Sequence, residues 1–305
     1  MKTERFDIYS MVTDMMISRL EAGIIPWQMP WKSALSMPTN MVSKKPYRGI
    51  NFWYLLSFGF EKPWFLTFNQ IKELGGSVIK GSKSYVVVFW KILENEKPTG
   101  KIDKVPMLRY YRIFQIDSVE GIDQSKIPTG EAYDHDFNAI EHCKNIVQSW
   151  VDCPKIELNK AQALYKPGSD TVEMPNPRNF YDDESYYSVL YHELIHSTGH
   201  KRRLNRHEKF PDNSFASKDY SIEELIAEMG AAFLCGISGI QTKTFDNSVG
   251  YVQSWLKRLK NDNKFVLSAA SHAQHAVDYI LENQKVPASS KLAETEAAVT
   301  SSFSF

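Results

Sequence analysis

The chain has 305 residues, of which 43% are hydrophobic and 24% are charged. These are the proportions of a globular protein, and the length suits two domains. No apolar run approaches the length of a membrane span, and residues 1–7 do not begin a signal peptide. The three cysteines lack C-x-x-C spacing, which argues against a disulfide framework. We therefore expect a cytoplasmic protein with no membrane partner.

The net charge of zero conceals an asymmetry between the two ends of the chain. Residues 1–120 contain 17 Lys and Arg against 11 Asp and Glu, whereas residues 121–305 contain 19 against 25. The same N-terminal part holds five of the seven tryptophans. A basic, aromatic-rich half joined to an acidic half predicts a nucleic-acid module beside a second domain.

The N-terminal part begins with helical periodicity over residues 4–22. Prolines then hold Trp27 and Trp31 in an extended segment. This segment is interpreted either as a loop that caps a core or as a stacking platform for exposed bases.

A basic loop follows at residues 40–51, and it is either a solvated turn or a phosphate site with an aromatic ring to stack. A second basic turn, at residues 80–84, precedes a predicted strand. The candidate DNA contacts in these two turns are Lys44, Lys45, Tyr47, Arg48, Asn51 and Lys83.

The rest of this part is typical of an α+β domain. Thr67 is the expected cap of a helix over 68–74, and the apolar runs at 85–90 and 108–116 predict two strands joined by a polar segment, 94–105. Residues 122–136 read as a linker. After a helix over 137–150, short strands are expected at 155–158, 163–165 and 170–175. The last of these is either the edge strand that receives an extended peptide or an ordinary sheet edge.

The pattern H-E-x-x-H occurs at residues 192–196. On a helix, His192 and His196 share a face and can present two imidazoles to one Zn²⁺, with Glu193 beside them. Apolar residues at helical spacing and Gly199 beyond the last turn support such a helix.

A third ligand is expected downstream, where Glu224 and Glu228 lie four residues apart on one face of a second apolar helix. Glu223 is the alternative, although it lies about 100° around the helix and lacks a partner one turn on. His200 is a weaker candidate, and a metzincin-type third histidine fails because position 202 is arginine. The arrangement resembles that of thermolysin-like zincins, which implies that Glu224 is the ligand and that Glu228 bonds the far nitrogen of His192 or His196.

The remaining C-terminal features are less specific. The basic run 201–206 is interpreted either as a solvated turn or cation pairing at the helix C-terminus, or as a contact with DNA or the other domain. Tyr220 is a possible hydrogen-bond donor to an oxyanion. Two helices, at 246–260 and 263–284, complete the domain, and residues 286–305 read as a disordered tail.

Several segments together carry a family resemblance. They are residues 26–31, 47–51, 64–70 with 75–76, 111–114 with 119–121, 198–204, 223–234 and 254–256. The chain resembles ArdC antirestriction proteins over nearly its whole length. The resemblance implies a domain that binds single-stranded DNA (residues 1–121), a zincin-like metallopeptidase domain (residues 137–285), a mobile genetic element as the source, and protection of incoming DNA from restriction.

The sequence therefore predicts a single-stranded DNA-binding module followed by a zinc-dependent peptidase that acts on a possible protein substrate, with manganese as an alternative metal. Zn²⁺ held by His192, His196 and Glu224 would activate water, and Glu193 would move the proton. Two alternatives stay open: a DNA-binding protein whose metal is structural, and a metallopeptidase without a nucleic-acid role.

Overall fold

The computed structural model describes residues 7–25, 27, 37–96, 102–128, 138–208, 218–240 and 248–284. Trp31, the second half of the predicted linker, the side chain of Tyr220 and the predicted tail 286–305 lie outside these described residues. The helices are α1 (Ile8–Glu21), α2 (Ile50–Leu56), α3 (Phe68–Glu73), α4 (Ala139–Ser149), α5 (Asp183–Thr198), α6 (Lys218–Ser238), α7 (Ser248–Asn261) and α8 (Phe265–Glu282). The strands are β1 (Thr39–Asn40), β2 (Trp64–Thr67), β3 (Ser77–Val78), β4 (Tyr85–Glu96), β5 (Ile102–Gln115), β6 (Val119–Glu120), β7 (Lys155–Glu157), β8 (Leu164–Lys166) and β9 (Thr171–Glu173). This mixture confirms the predicted α+β class.

The N-terminal half is built on a four-stranded sheet in the order β1-β2-β5-β4. Helix α3 follows β2 directly because Thr67 and Gln70 form a capping box. Strands β4 and β5 are longer than predicted, since Glu94 pairs with Lys104 within the segment expected to be a polar linker. These pairs are held by hydrogen bonds between backbones, which require no apolar alternation, so the sequence pattern could not reveal them.

The C-terminal half contains a three-stranded sheet in the order β7-β9-β8. Strand β9 pairs with β7 in parallel and with β8 in antiparallel orientation. The expectation that residues 170–175 form an edge strand for a peptide is therefore wrong, because both backbone edges of β9 are occupied. The edges of this sheet are β7 and β8.

Helices α5, α6 and α8 pack against one another beside this sheet. Gly230 of α6 faces Ile195 of α5, and a Cβ atom at Gly230 would lie 2.7 Å from the Ile195 side chain. Only a glycine therefore permits this approach of the two helices without displacing Ile195. Because the H-E-x-x-H residues are on α5 and the predicted third ligand is on α6, this close packing brings them together.

The buried core runs without a break from the N-terminal half into the C-terminal half. Phe52 and Trp53 of α2 contact the ring of Phe233 of α6, with centroids 4.6 and 5.9 Å away. Trp27 is fully buried, and its ring lies 5.4 Å from that of Trp255 of α7. The two halves share one apolar core, which the sequence did not predict.

Candidate metal centre

Helix α5 presents the H-E-x-x-H residues toward α6. The helix begins after Asp182, whose side chain accepts a hydrogen bond from the Ser185 backbone N–H at 2.8 Å, and it ends at Gly199. A Cβ atom at Gly199 would lie 2.4 Å from the ring of His207, so this position accommodates glycine alone without moving that histidine. His192 and Glu193 of this helix are buried.

Three potential ligand atoms converge between α5 and α6. The Nε2 atoms of His192 and His196 are 3.1 Å apart, and each lies 3.6 Å from a carboxylate oxygen of Glu224. Donor atoms bound to one tetrahedral ion at about 2.0–2.1 Å are roughly 3.3 Å from one another. Two imidazoles and one carboxylate with these separations therefore fit a divalent metal ion of the zinc or manganese type.

The far side of each imidazole faces another carboxylate. Nδ1 of His196 lies 3.3 Å from Oε1 of Glu223, and Nδ1 of His192 lies 3.9 Å from Oε1 of Glu228. Such carboxylates fix the orientation and tautomer of a ligand histidine. The sequence predicted this position for Glu228 but weighed Glu223 only as an alternative ligand.

Glu223 is itself held by a buried arginine. Nε and one terminal nitrogen of Arg206 donate to the two oxygens of Glu223 at 2.8 and 2.7 Å. Arg206 also donates to Thr198 Oγ1 and to the Ile195 carbonyl, both on α5, at 3.0 Å. The expectation of a solvated turn or a DNA contact is therefore wrong for Arg206, because this side chain is buried. The alternative of a cation paired with the C-terminus of the helix describes it, since Arg206 donates to a carbonyl in the last turn of α5. A basic run in the sequence does not show which of its members turns inward.

Other predicted residues lie around this centre in different roles. His200 is buried, and its Nδ1 accepts a hydrogen bond from the Arg202 backbone N–H at 3.3 Å. It is not among the three residues whose ligand atoms converge. Arg203 donates to both oxygens of Asp170 at 2.7 and 3.0 Å, which ties the loop after α5 to the loop between β8 and β9.

The carboxylates determine the protonation of the site. Burial by itself lowers the pKa of His192, but the close carboxylate of Glu224 and the charges of nearby glutamates raise the pKa to about 9. Burial raises the pKa of Glu228, whereas the charge and hydrogen bonds of Arg206 overcome burial and hold the pKa of Glu223 well below its usual value. The metal-free centre is thus an excess of carboxylates balanced by protonated imidazole, and a cation can replace those protons.

The predicted DNA contacts separate into two groups in the structure. Trp27, Tyr47 and Asn51 are buried, and the Asn51 side chain bonds the backbone N–H and C=O of Val88 at 2.7 and 2.6 Å. The expectation that these side chains meet DNA directly is corrected, because all three are buried inside the protein.

The charged members of the set remain accessible: Lys44, Lys45, Arg48 and Lys83 are exposed. Arg48 forms an ion pair with Asp278 of α8, so one of these cations also joins the two halves of the molecule. Among the described helices, none combines the length and apolarity that a membrane span requires.

Two family models match the chain. The model for the N-terminal domain of the anti-restriction factor ArdC matches residues 6–114, and the model for a zincin-like metallopeptidase matches residues 146–272. The chain is 31% identical to the uncharacterized protein y4eC of Sinorhizobium fredii over 293 residues, which cover 91% of this chain and 92% of y4eC. It is 28% identical to the DNA primase TraC of Escherichia coli over 90% of its own length, but spans only 27% of that protein.

The fold also matches solved structures. Crystal structures of the antirestriction protein ArdC from plasmid R388, one metal-free and one with bound Mn(II), superpose on the chain with a TM-score of 0.72. The sequence identity is 36%, and the match covers 91% of this chain and 98% of the R388 protein. The predicted two-domain organisation, an ArdC-type N-terminal domain followed by a zincin-like domain, is confirmed by these matches.

Proposed function

Because the chain belongs to the ArdC family of antirestriction proteins, we propose that it binds single-stranded DNA, carries a metal-dependent peptidase site and protects DNA that enters a cell on a mobile element. The observation that carries the enzymatic part is the convergence of two imidazoles and one carboxylate on a single point between α5 and α6.

In this proposal His192, His196 and Glu224 hold a divalent ion, either Zn²⁺ or Mn²⁺. The Mn(II)-bound structure of the R388 protein supports manganese as a candidate, and the N₂O ligand set is equally suited to zinc. When bound, such an ion acidifies water and polarises a carbonyl oxygen.

The protein's own residues supply the remaining chemistry. Glu193 is adjacent to His192 on α5 and is buried, and the proposal assigns its carboxylate the role of accepting a proton from water and returning it to a leaving amine. Glu223 and Glu228 keep the imidazoles in orientation. A peptide or protein chain is the substrate class that a zincin-like site implies.

The DNA-binding part rests on the family and on the charge of the N-terminal half. The exposed cations Lys44, Lys45 and Lys83 belong to this half, and phosphate contacts from such side chains give salt-dependent affinity. The test is fluorescence anisotropy of the intact protein with a labelled oligonucleotide, single- or double-stranded, over a salt series with and without chelator. Salt-sensitive preference for single strands that persists under chelation supports the proposal, and no binding at low salt would refute it.

One alternative has support in the structure: a DNA-binding protein whose metal only stabilises the fold. The candidate ligands come from two helices, α5 and α6, so an ion would also join those helices. The variant Glu193→Gln distinguishes the two functions because it leaves the three candidate ligands intact. If antirestriction needs peptidase chemistry, this variant should bind metal and DNA normally but lose protection of incoming DNA; undiminished protection would favour the structural role.

A further inference from the structure

Four successive residues of β5, Arg109, Tyr110, Tyr111 and Arg112, are all exposed. A strand that packs on a core buries every second side chain, whereas these four are exposed on both faces of β5, although their cross-strand partners Val87 and Val88 of β4 are buried. Tyr110 and Tyr111 are 42% and 49% exposed, and Phe89 on the neighbouring strand β4 is 44% exposed. Large aromatic rings in solvent on one short stretch are typical of a binding surface.

The register of the two strands divides these residues between two faces. Phe89 pairs with Arg109, so their side chains share one face with Tyr111, whereas Tyr110 and Arg112 are on the other. We call Phe89, Arg109 and Tyr111 the Phe89 face. On it the rings of Phe89 and Tyr111 contact each other, with centroids 5.8 Å apart.

The Phe89 face is anchored in the core by the buried ring of Tyr47. The Tyr47 ring lies 6.4 Å from that of Phe89 and 6.0 Å from that of Phe65, which is fully buried. This support fixes the exposed rings in position before any ligand arrives, which lowers the entropy lost on binding. Tyr47 also connects the Phe89 face to the basic loop, because Lys44, Lys45 and Arg48 are its neighbours in the chain.

The charge of this region is positive. Residues 104–116, which include the exposed stretch of β5, contain Lys104, Arg109 and Arg112 but no Asp or Glu. Aromatic rings beside cations are the combination that binds single strands, since bases stack on the rings and phosphates pair with the cations. The same combination offers little to a paired duplex, whose bases are already stacked.

We propose that the Phe89 face is the surface on which bases of single-stranded DNA stack, with Arg109 and the loop of Lys44 and Lys45 holding the adjacent phosphates. This inference rests on the proposed function and specifies where the DNA binds. It transfers the stacking role that the sequence suggested for Trp27 and Tyr47, both buried, to Phe89 and Tyr111.

The experiment uses the full-length protein and a labelled single-stranded oligonucleotide in an anisotropy titration. Phe89→Leu and Tyr111→Leu keep an apolar side chain but remove the ring, and each should weaken binding about ten-fold. Tyr110→Leu is the matched control, since Tyr110 is adjacent and equally exposed but lies on the opposite face; its affinity should stay within about two-fold of the unmodified protein. Phe89→Tyr retains a ring and should restore the affinity.

The arginines provide a second, independent readout. Arg109→Ala should lower the slope of log affinity against log salt by about 0.7, whereas Arg112→Ala, on the other face, should leave the slope unchanged. Circular dichroism of every variant confirms that the fold is retained. If the unmodified protein binds single strands but the two leucine variants bind equally well, or if Tyr110→Leu is just as damaging, the Phe89 face is not the DNA surface. If the unmodified protein does not bind at all, the proposed function itself fails.

Discussion

At the scale of single residues, the candidate metal centre is sensitive to charge, because the buried His192 and the half-buried His196 lie among four carboxylates. His192 and His196 face Glu223, Glu224 and Glu228, and Glu193 is next to His192 in the helix. In the metal-free protein, protonation of imidazole offsets these carboxylates. In the metal-bound protein the cation takes over that function, and the histidines must be neutral to act as ligands. Proton and metal therefore compete for the same site.

This competition predicts opposite pH dependences with and without metal. The pKa of His192 is raised from 6.5 to about 9 by Glu224 and its neighbours, against the opposing effect of burial. A raised pKa stabilises the folded state below the unfolded pKa, and this contribution, about 3 kcal/mol, is lost as pH rises through about 9. We expect the unfolding temperature of chelated protein to fall between about pH 6.5 and pH 9, measured by scanning calorimetry.

The control for this prediction is His192→Asn, in which the decline over that pH range should flatten. Metal affinity, measured by titration calorimetry, should rise with pH over the same interval because fewer protons must be displaced. An unfolding temperature that does not change with pH in the chelated protein would contradict this account.

Glu223 and Glu228 provide a matched pair of substitutions. Arg206 holds the pKa of Glu223 well below its usual value, whereas burial raises the pKa of Glu228. Glu223→Gln removes the charge that Arg206 requires inside the protein, so it should cost about 3 kcal/mol of stability. Glu228→Gln removes a charge that burial already disfavours and that no arginine among the described residues pairs with, and the cost should be below about 1 kcal/mol. Denaturant unfolding of the chelated variants measures both, and equal losses would show that the Arg206 pair has no special role.

At this scale, the sequence predicted the candidate ligands wherever their positions follow from spacing along one helix. A separation of four residues on a helix predicted that His192 and His196 would face one point, and the same spacing singled out Glu224 and Glu228. The position of Glu223 behind His196 depends on Arg206, which returns from a loop after α5. No pattern within either helix contains that information, so the pairing could not be predicted from the sequence.

Among the elements, the α5–α6 pair decides whether the centre can assemble. The backbone of α6 approaches α5 at Gly230, where an added methyl group would lie 2.7 Å from Ile195. Gly230→Ala should force the helices apart at a net cost of about 1–2 kcal/mol, because overpacking outweighs the better helix propensity of alanine. Metal affinity should fall as well, since Glu224 moves with α6. Gly168→Ala, where nothing lies within 4 Å, is the control and should change neither quantity. Normal metal affinity in Gly230→Ala would refute the idea that helix spacing sets the site.

Element types were predictable from the sequence to the extent that each was a local property. The cap at Thr67, the periodicity of α5 and the β-branched run in β4 all describe interactions with nearby residues. Strand order is not a local property. Strand β9 is central because it pairs with both β7 and β8, and loops separate these three strands in the chain. The lengths of β4 and β5 were underestimated for a related reason. The pairs farthest from the core are held by backbone hydrogen bonds, which leave no apolar pattern in the sequence.

At the scale of the whole molecule, charge divides the chain into two halves, whereas apolar packing joins those halves. The charges separate a basic half from an acidic half, and the family matches divide it in the same way. The core nevertheless continues across that boundary, through α2 against α6 and through Trp27 against Trp255. The charge of each half indicates what its surface offers to solvent or a partner. It does not indicate which residues of one half pack against the other half. The interface could therefore not be predicted from composition.

A shared core predicts that the two halves unfold together. Phe233 of α6 touches both Phe52 and Trp53 of α2, so Phe233→Ala should destabilise the zincin-like half and the ArdC-type N-terminal half at once, by about 3–4 kcal/mol. Thermal unfolding followed by hydrogen exchange should show amides of β5 and of α5 losing protection in a single transition, and chelation should lower that transition for both. Tyr181→Ala, at a fully exposed ring of the C-terminal half, is the control and should leave the transition in place. Two separate transitions, with only α5 responding to metal, would mean that the halves fold independently and that the interface is too weak to couple the candidate metal site to the proposed DNA surface.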